Sequence, residues 1–209
     1  MNQPRPAVAT PPERDDGPDD ADVIDRSRGE PEQFALLFHR HAPSIGGYVA
    51  RRLGPGLAED IVAETFLRAF RQRVRYDLSH RDARPWLYGI AGNLVRRHHR
   101  DEVRKLRALQ RTGLDPVAES FADQVDDRVS ADAASRAIAA AIAGLSPGQR
   151  DVVLLVAWAG LTYDQVAEAL GVPEGTVRSR MNRSRTRLRA ALASVNPNRA
   201  FDGQEYRHG

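Results

Sequence analysis

Residues 162–189, TYDQVAEALGVPEGTVRSRMNRSRTRLR, restrict the fold more than any other stretch of this chain. Their spacing predicts two short helices that meet at a tight turn. Thr162 and Gln165 stand three apart, as in a capping box, where each side chain satisfies a free amide at the helix start. Val166, Ala167 and Leu170 follow as an apolar face, and Gly171 stands where a helix closes on a left-handed residue. Pro173 lacks the amide proton that a continuing helix needs, but it suits the first turn of a new one. The second helix repeats Val177, Met181 and Leu188 at helical spacing. It also carries six arginines, and Arg178, Ser179, Asn182 and Arg183 fall away from the apolar stripe. Such a pair has the layout of a helix-turn-helix whose second helix enters the DNA major groove. A solvated basic face on an ordinary helix pair is the plainer alternative, so the rest of the chain has to decide.

Composition narrows the choice. Hydrophobic residues make up 41% of the 209 and aromatics 6%, which allows compact helical cores and disfavours aromatic-rich β cores. The absence of cysteine excludes disulfides, thiolate metal sites and a cysteine nucleophile. No apolar run approaches the roughly 20 residues that cross a bilayer. The N-terminus also lacks the apolar core of a signal peptide, so a cytoplasmic protein without membrane insertion is expected. The net charge of +3 says less than its distribution. Acids cluster in residues 1–32 and again between Asp115 and Asp132, while arginine gathers in 96–111 and 178–189. Two basic blocks around an acidic spacer suggest two contacts with a polyanion. Lysine occurs once, as Lys105, a bias that genomic base composition also produces.

The predicted class is all-α, with two small helical domains joined by a flexible acidic linker. Residues 1–30, rich in Pro, Asp, Arg and Gly, read as a disordered arm. The first domain spans 31–111. Its opening helix aligns Phe34, Leu37, Phe38, His41, Ile45, Tyr48 and Val49, and Gly54-Pro55-Gly56 ends it. A helix over 57–73 buries Leu57, Ile61, Val62, Phe66 and Phe70 and shows Glu59, Asp60, Glu64, Arg68 and Arg71 outside. After a polar loop from Tyr76 to Arg84, a third helix over 85–107 carries Leu87, Ile90, Ala91, Leu94, Val95 and His98 on one stripe. Trp86, Asn93, Arg97 and Arg100 share another side. A tryptophan among amide and guanidinium groups can stack on a base, or it can simply cap the core. Residues 112–131 read as the linker and 132–192 as the second domain, with Ile138, Ile142 and Leu145 in its core. Residues 193–209 read as a loose tail, and no further C-terminal domain is expected.

Three segments together resemble a known family: GLAEDIVAETFLRAF (56–70), RPWLYGIAGNLVRRHHR (84–100) and LSPGQRDVVLLVAWAGLTYDQVAEALGVPEGTVRSRMNRSRTRL (145–188). In this order and spacing they look like the extracytoplasmic-function group of sigma factors, in the sigma-70 family of bacterial RNA polymerase. The resemblance implies a protein that binds core polymerase, through the β′ clamp and the β flap, and directs initiation at promoters with −10 and −35 elements. It implies Asp60, Glu64, Phe66 and Arg68 as polymerase contacts, with Ala63 standing where many members carry Gln. It implies that Tyr76, Asp77 and Arg84 hold a flipped base of the −10 element, helped by Trp86, Asn93, Arg97 and Arg100. Capturing a base outside the stack costs a few kcal/mol, least where the duplex is already melted. Arg178, Ser179, Asn182 and Arg183 are implied to read the −35 element, and Asn182 replaces the His or Phe of many members. The acidic linker resembles the segment that threads toward the polymerase active-site channel. An anti-sigma factor is implied as a further partner.

Two other classes compete. A free-standing helix-turn-helix regulator has no reason to expose Asp60, Glu64 and Arg68 in that pattern. For an enzyme, His39 with His41 and His98 with His99 lack i, i+4 ligand spacing, and no carboxylate motif completes a site. No catalytic residue, metal or cofactor is therefore expected.

Overall fold

A computed structural model describes residues 17–111 and 133–195. The expected linker at 112–131, most of the N-terminal arm and the tail beyond 195 lie outside the described residues. Among the described residues every regular element is helical. The helices are α1 (Asp20–Gly29), α2 (Phe34–Leu53), α3 (Ala58–Gln72) and α4 (Arg84–Arg111), then α5 (Ala133–Ala143), α6 (Pro147–Ala157), α7 (Tyr163–Leu170) and α8 (Glu174–Val195).

The N-terminal unit follows the apolar periodicity. On α2, Phe34, Leu37, His41, Ile45, Tyr48 and Val49 recur every three or four residues and are all buried. Val62, Phe66 and Ala69 of α3 and Leu87, Ala91, Leu94 and Val95 of α4 complete that core. Each such Leu, Val or Phe contributes about 1.5–3 kcal/mol when fully buried. Phe38, expected on the inner face, is 40% exposed, although its ring packs edge-on against Phe66 with centroids 4.9 Å apart.

The arm is shorter than the sequence suggests, because residues 20–29 form α1. Their composition conceals it: Ala21, Val23 and Ile24 are the apolar positions, and all three are buried. Asp19 caps the helix by accepting from the Asp22 amide at 2.9 Å. The acidic first turn and the arginines of the last turn suit the helix dipole. Asp20 goes inward. Its Oδ1 accepts from Arg40 at 2.8 Å, and its Oδ2 lies 2.8 Å from His41 Nε2 and accepts from the Ala83 amide at 3.0 Å. Burial pushes this carboxyl up, but His41, Arg40 and Ala83 outweigh it and hold it at about 2, below the ordinary 3.8. Buried His41 thus serves structure.

Helices α6 and α7 of the C-terminal unit carry well-formed caps. Ser146 with Gln149 and Thr162 with Gln165 both form complete capping boxes. Gly171 adopts φ 62°, ψ 41°, a left-handed conformation that costs a side-chain-bearing residue more than glycine. Val152, Leu155, Leu161, Val166, Val177 and Met181 form the core. Arg150 folds back onto the carbonyls of Ile142 and Ala143, satisfying the end of α5. Ile138, expected in the core, is 38% exposed; Ile142 is half-buried, and Leu145, just beyond α5, is the buried residue here.

The two units do not stand apart. Helix α4 packs against α7, and the buried apolar residues of both units form one contiguous cluster.

Candidate nucleic-acid interface

The recognition helix α8 is built from the inside out. Val177 and Met181 are buried, and about one turn further on Ser184 sinks its hydroxyl by donating to the Arg180 carbonyl at 2.8 Å. That registration turns Arg178, Asn182 and Arg183 into solvent, with Ser179 half-buried beside them and donating to the Thr176 carbonyl at 3.0 Å. Arg178 is steadied by Glu174 one turn earlier, at 2.6 Å. Two arginines turn back to their own unit: Arg187 donates to Gln149 at 3.3 Å, and the Arg180 guanidinium lies against Gly148. All four sequence-predicted residues of this helix therefore lie together on one open or half-open side.

The second candidate surface is α4 with the loop before it. Here the structure divides the predicted residues. Asn93 is exposed and accepts from Arg96 at 2.8 Å, while Trp86 is half-buried. Both line a cleft of ≈ 490 Å³ together with Gln72, Gly89, Ile90 and Arg96. Arg97 and Arg100 are exposed but do not line that cleft, and Arg97 lies 3.8 Å from Asp101. Tyr76 is a correction: it is 8% exposed, its hydroxyl donates to the His80 carbonyl at 2.6 Å, and its ring lies 4.8 Å from that of Trp86. It braces the loop from within. Arg84 is also engaged, donating to both Asp82 oxygens and, at 3.4 Å, to the Ala159 carbonyl. That bond raises Arg84 above the ordinary arginine value; Asp82 is lowered because Arg84 outweighs the opposing burial. Asp77 remains exposed, its carboxylate accepting from the Ser79 amide at 3.0 Å.

The far wall of the cleft belongs to the other unit: Glu168, Ala169, Leu170 and Gly171 of α7 and its turn. Gly89 permits this approach, since a Cβ there would sit 3.1 Å from the Ala169 carbonyl oxygen. Polar bonds cross the same seam. Gln165 donates to Asp82 at 2.9 Å, and His80 Nδ1 lies 3.1 Å from Glu168 Oε1. The Arg51 guanidinium stacks over Trp158, 3.3 Å from the ring centroid, a favourable cation–π geometry. Nothing in the sequence around Gly89 signals that α7 covers it.

On α3, Asp60 is exposed and Glu64 accepts from Arg68 at 2.6 Å, so these three share a polar face. Phe66 is a correction, being 4% exposed beneath Phe38. Leu67, 42% exposed next to that polar face, is the apolar group the sequence reading passed over. Its signal was its place off the buried stripe. Among the described residues no cluster of three or more His, Asp or Glu could hold a metal, and no helix is long and apolar enough to cross a membrane.

Comparisons with known proteins fit this geometry. The sigma-70 region 2 model matches residues 37–105, and the sigma-70 region 4 model matches 135–188. The RNA polymerase sigma factor CarQ of Myxococcus xanthus is 31% identical over 176 residues, covering 80% of this chain and 93% of its own length. The extracytoplasmic-function sigma factor SigL of Mycobacterium tuberculosis is also 31% identical, covering 84% of this chain and 97% of its own. Among solved structures, the sigma factor RpoE of Bartonella quintana, in complex with the anti-sigma factor NepR, has a TM-score of 0.61 at 23% identity. It covers 77% of this chain and 97% of its own. CnrH, in complex with the cytosolic domain of CnrY, has a TM-score of 0.60 at 24% identity and covers 84% and 97%. These two share the fold. With both domain models matched in order and relatives of this extent, the chain belongs to the sigma-70 family of RNA polymerase sigma factors, in its extracytoplasmic-function group.

Proposed function

We propose that this sigma factor reads the −35 duplex with Arg178, Ser179, Asn182 and Arg183 of α8, and the melted −10 element with Trp86, Asn93, Arg97 and Arg100 of α4. Asp77 and Arg84 frame the capture loop, and Tyr76 holds it in shape. Asp60, Glu64 and Arg68, with Leu67 and Phe38 as the apolar part, contact the polymerase β′ clamp, and region 4 meets the β flap. Phosphodiester chemistry belongs to the polymerase. An anti-sigma factor is the further partner this reading anticipates.

One observation carries it: Val177, Met181 and Ser184 are buried on one side of α8, so that Arg178, Asn182 and Arg183 are exposed together on the other. Arginine forks reach guanine edges and phosphates, and a side-chain amide matches adenine, so the row suits duplex readout. Run-off transcription with purified core polymerase on a promoter library tests the reading. Selective transcripts that need the added chain support it, and Asn182→Ala then relaxes discrimination at one −35 base pair by about 1–3 kcal/mol. A chain that ignores core polymerase and shifts duplex DNA alone is a free-standing regulator instead.

A further inference from the structure

Asp151 of α6 is 3% exposed, and the polar groups that reach it belong to region 2. Tyr48 Oη donates to Oδ1 at 3.1 Å, Arg52 Nε lies 3.0 Å from Oδ1, and Arg96 Nη1 lies 3.7 Å from Oδ2. Burial pushes the Tyr48 hydroxyl well above its ordinary value, and the Asp151 charge adds to this, so Tyr48 stays a donor. Arg150, next to Asp151 in sequence, turns away to the carbonyls of α5. A carboxylate this deeply placed needs donors, and here a different domain supplies them.

The fit is incomplete. Arg52 is 7% exposed, yet its Nε makes no hydrogen bond despite lying 3.0 Å from the carboxylate. The pair is held by charge at short range but is poorly aligned for a hydrogen bond. Tyr48, Arg52 and Arg96 approach from α2 and α4, and a planar carboxylate offers fewer directions than a tetrahedral phosphate. Guanidinium groups suit phosphate in charge and geometry. Arg96 also donates to Asn93, so this cluster continues directly into the face assigned above to the −10 element. If region 4 moves off, two guanidinium groups and a hydroxyl lose the Asp151 carboxylate at the edge of that face.

We propose that Tyr48, Arg52 and Arg96 form an anion seat, which holds the Asp151 carboxylate when regions 2 and 4 are closed on each other and a backbone phosphate of promoter DNA when they are apart. The proposal rests on the −10 assignment of α4. Asp151 then acts as an internal stand-in for phosphate, and closure and promoter binding exclude one another at this spot.

The two sides of the seat respond differently to substitution. Asp151→Asn releases closure and spares promoter binding. Arg96→Ala releases closure and also removes a phosphate contact. Closure is read in the full chain by energy transfer between dyes on Glu32→Cys and Arg189→Cys, which are the only thiols because the chain has none of its own. Both substitutions raise the open fraction about tenfold or more. Promoter binding is read in the holoenzyme with core polymerase, as affinity against salt concentration. Arg96→Ala, with Arg96→Gln as the milder variant, weakens binding about tenfold for every −10 sequence and lowers the salt slope by about one. Asp151→Asn leaves the slope unchanged. An unchanged slope in both Arg96 variants overturns the phosphate role, and unchanged energy transfer in Asp151→Asn overturns the closure role. An unsubstituted holoenzyme without promoter selectivity overturns the sigma reading itself and the phosphate role with it, while the dye measurement still decides closure.

Discussion

Helices α8 and α4 carry the same kind of side chains, yet the fold treats them differently. On α8, Arg178, Asn182 and Arg183 face solvent because the helix buries only its opposite stripe. On α4, the N-terminal part of the polar side meets region 4, while Asn93, Arg97 and Arg100 stay exposed: Gly89 comes within close contact of Ala169, Arg84 is tied to Ala159, and Trp86 looks across a cleft at Glu168. An arginine-rich amphipathic helix is thus ready to meet DNA only if no second element has claimed its polar face. The helix-turn-helix of region 4 spends its first helix, α7, on covering region 2 while its second, α8, remains available.

This contrast can be broken at three places. The largest effect is expected from Asp20→Ala, which leaves Arg40, His41 and the Ala83 amide without their shared acceptor. Removing one partner of such a buried cluster costs about 3–5 kcal/mol. Hydrogen exchange should show lost protection in α1, α2 and the 76–84 loop and retained protection in α7 and α8. Equal loss in both would mean that the two regions unfold as one, and the contrast would vanish. The same carboxyl sets an acid limb. Its folded value of about 2 lies below the ordinary 3.8, so its contribution is complete above that ordinary value and is lost as pH falls from there through 2. Acid titration of Asp20→Ala should lack that part of the slope.

Next comes Gly89→Val, which places a branched side chain against the Ala169 carbonyl oxygen. Overpacking of this kind costs about 1–3 kcal/mol, and here the penalty falls on closure alone. Small-angle scattering should report a larger radius with circular dichroism unchanged. A compact Gly89→Val chain would show that α7 adjusts and that α4 is covered by other contacts. The smallest effect belongs to Thr162→Ala, which removes half of a capping box and costs about 1 kcal/mol. It should fray the start of α7 and shift the denaturation midpoint of region 4, leaving the exposure of the α8 row intact.

Much of the fold was legible in advance. The apolar stripes of α2, α3 and α4, the stop at Gly54, the Thr162 capping box and the left-handed Gly171 all follow from residues within four positions of one another. The α8 row was legible for the same reason, since a helix fixes which residues share a side. Helix α1 was missed because its three apolar residues are too few to stand out among acids, and tertiary contacts with α2 and the 73–83 segment secure it. That Phe66 and Tyr76 are buried was not legible, because a residue type at a motif position does not reveal its depth.

Local chemistry, then, settled which segments are helical, where they start and stop, and which faces are apolar. It could do so because hydrogen bonding and side-chain periodicity in helices act over three or four residues. What tertiary structure alone decided is which of those faces stay open. Asp20 finds Ala83 across 63 positions and Tyr48 finds Asp151 across 103, and no short-range pattern records such meetings. The buried charges required partners, and folding placed those partners on helices distant in the chain.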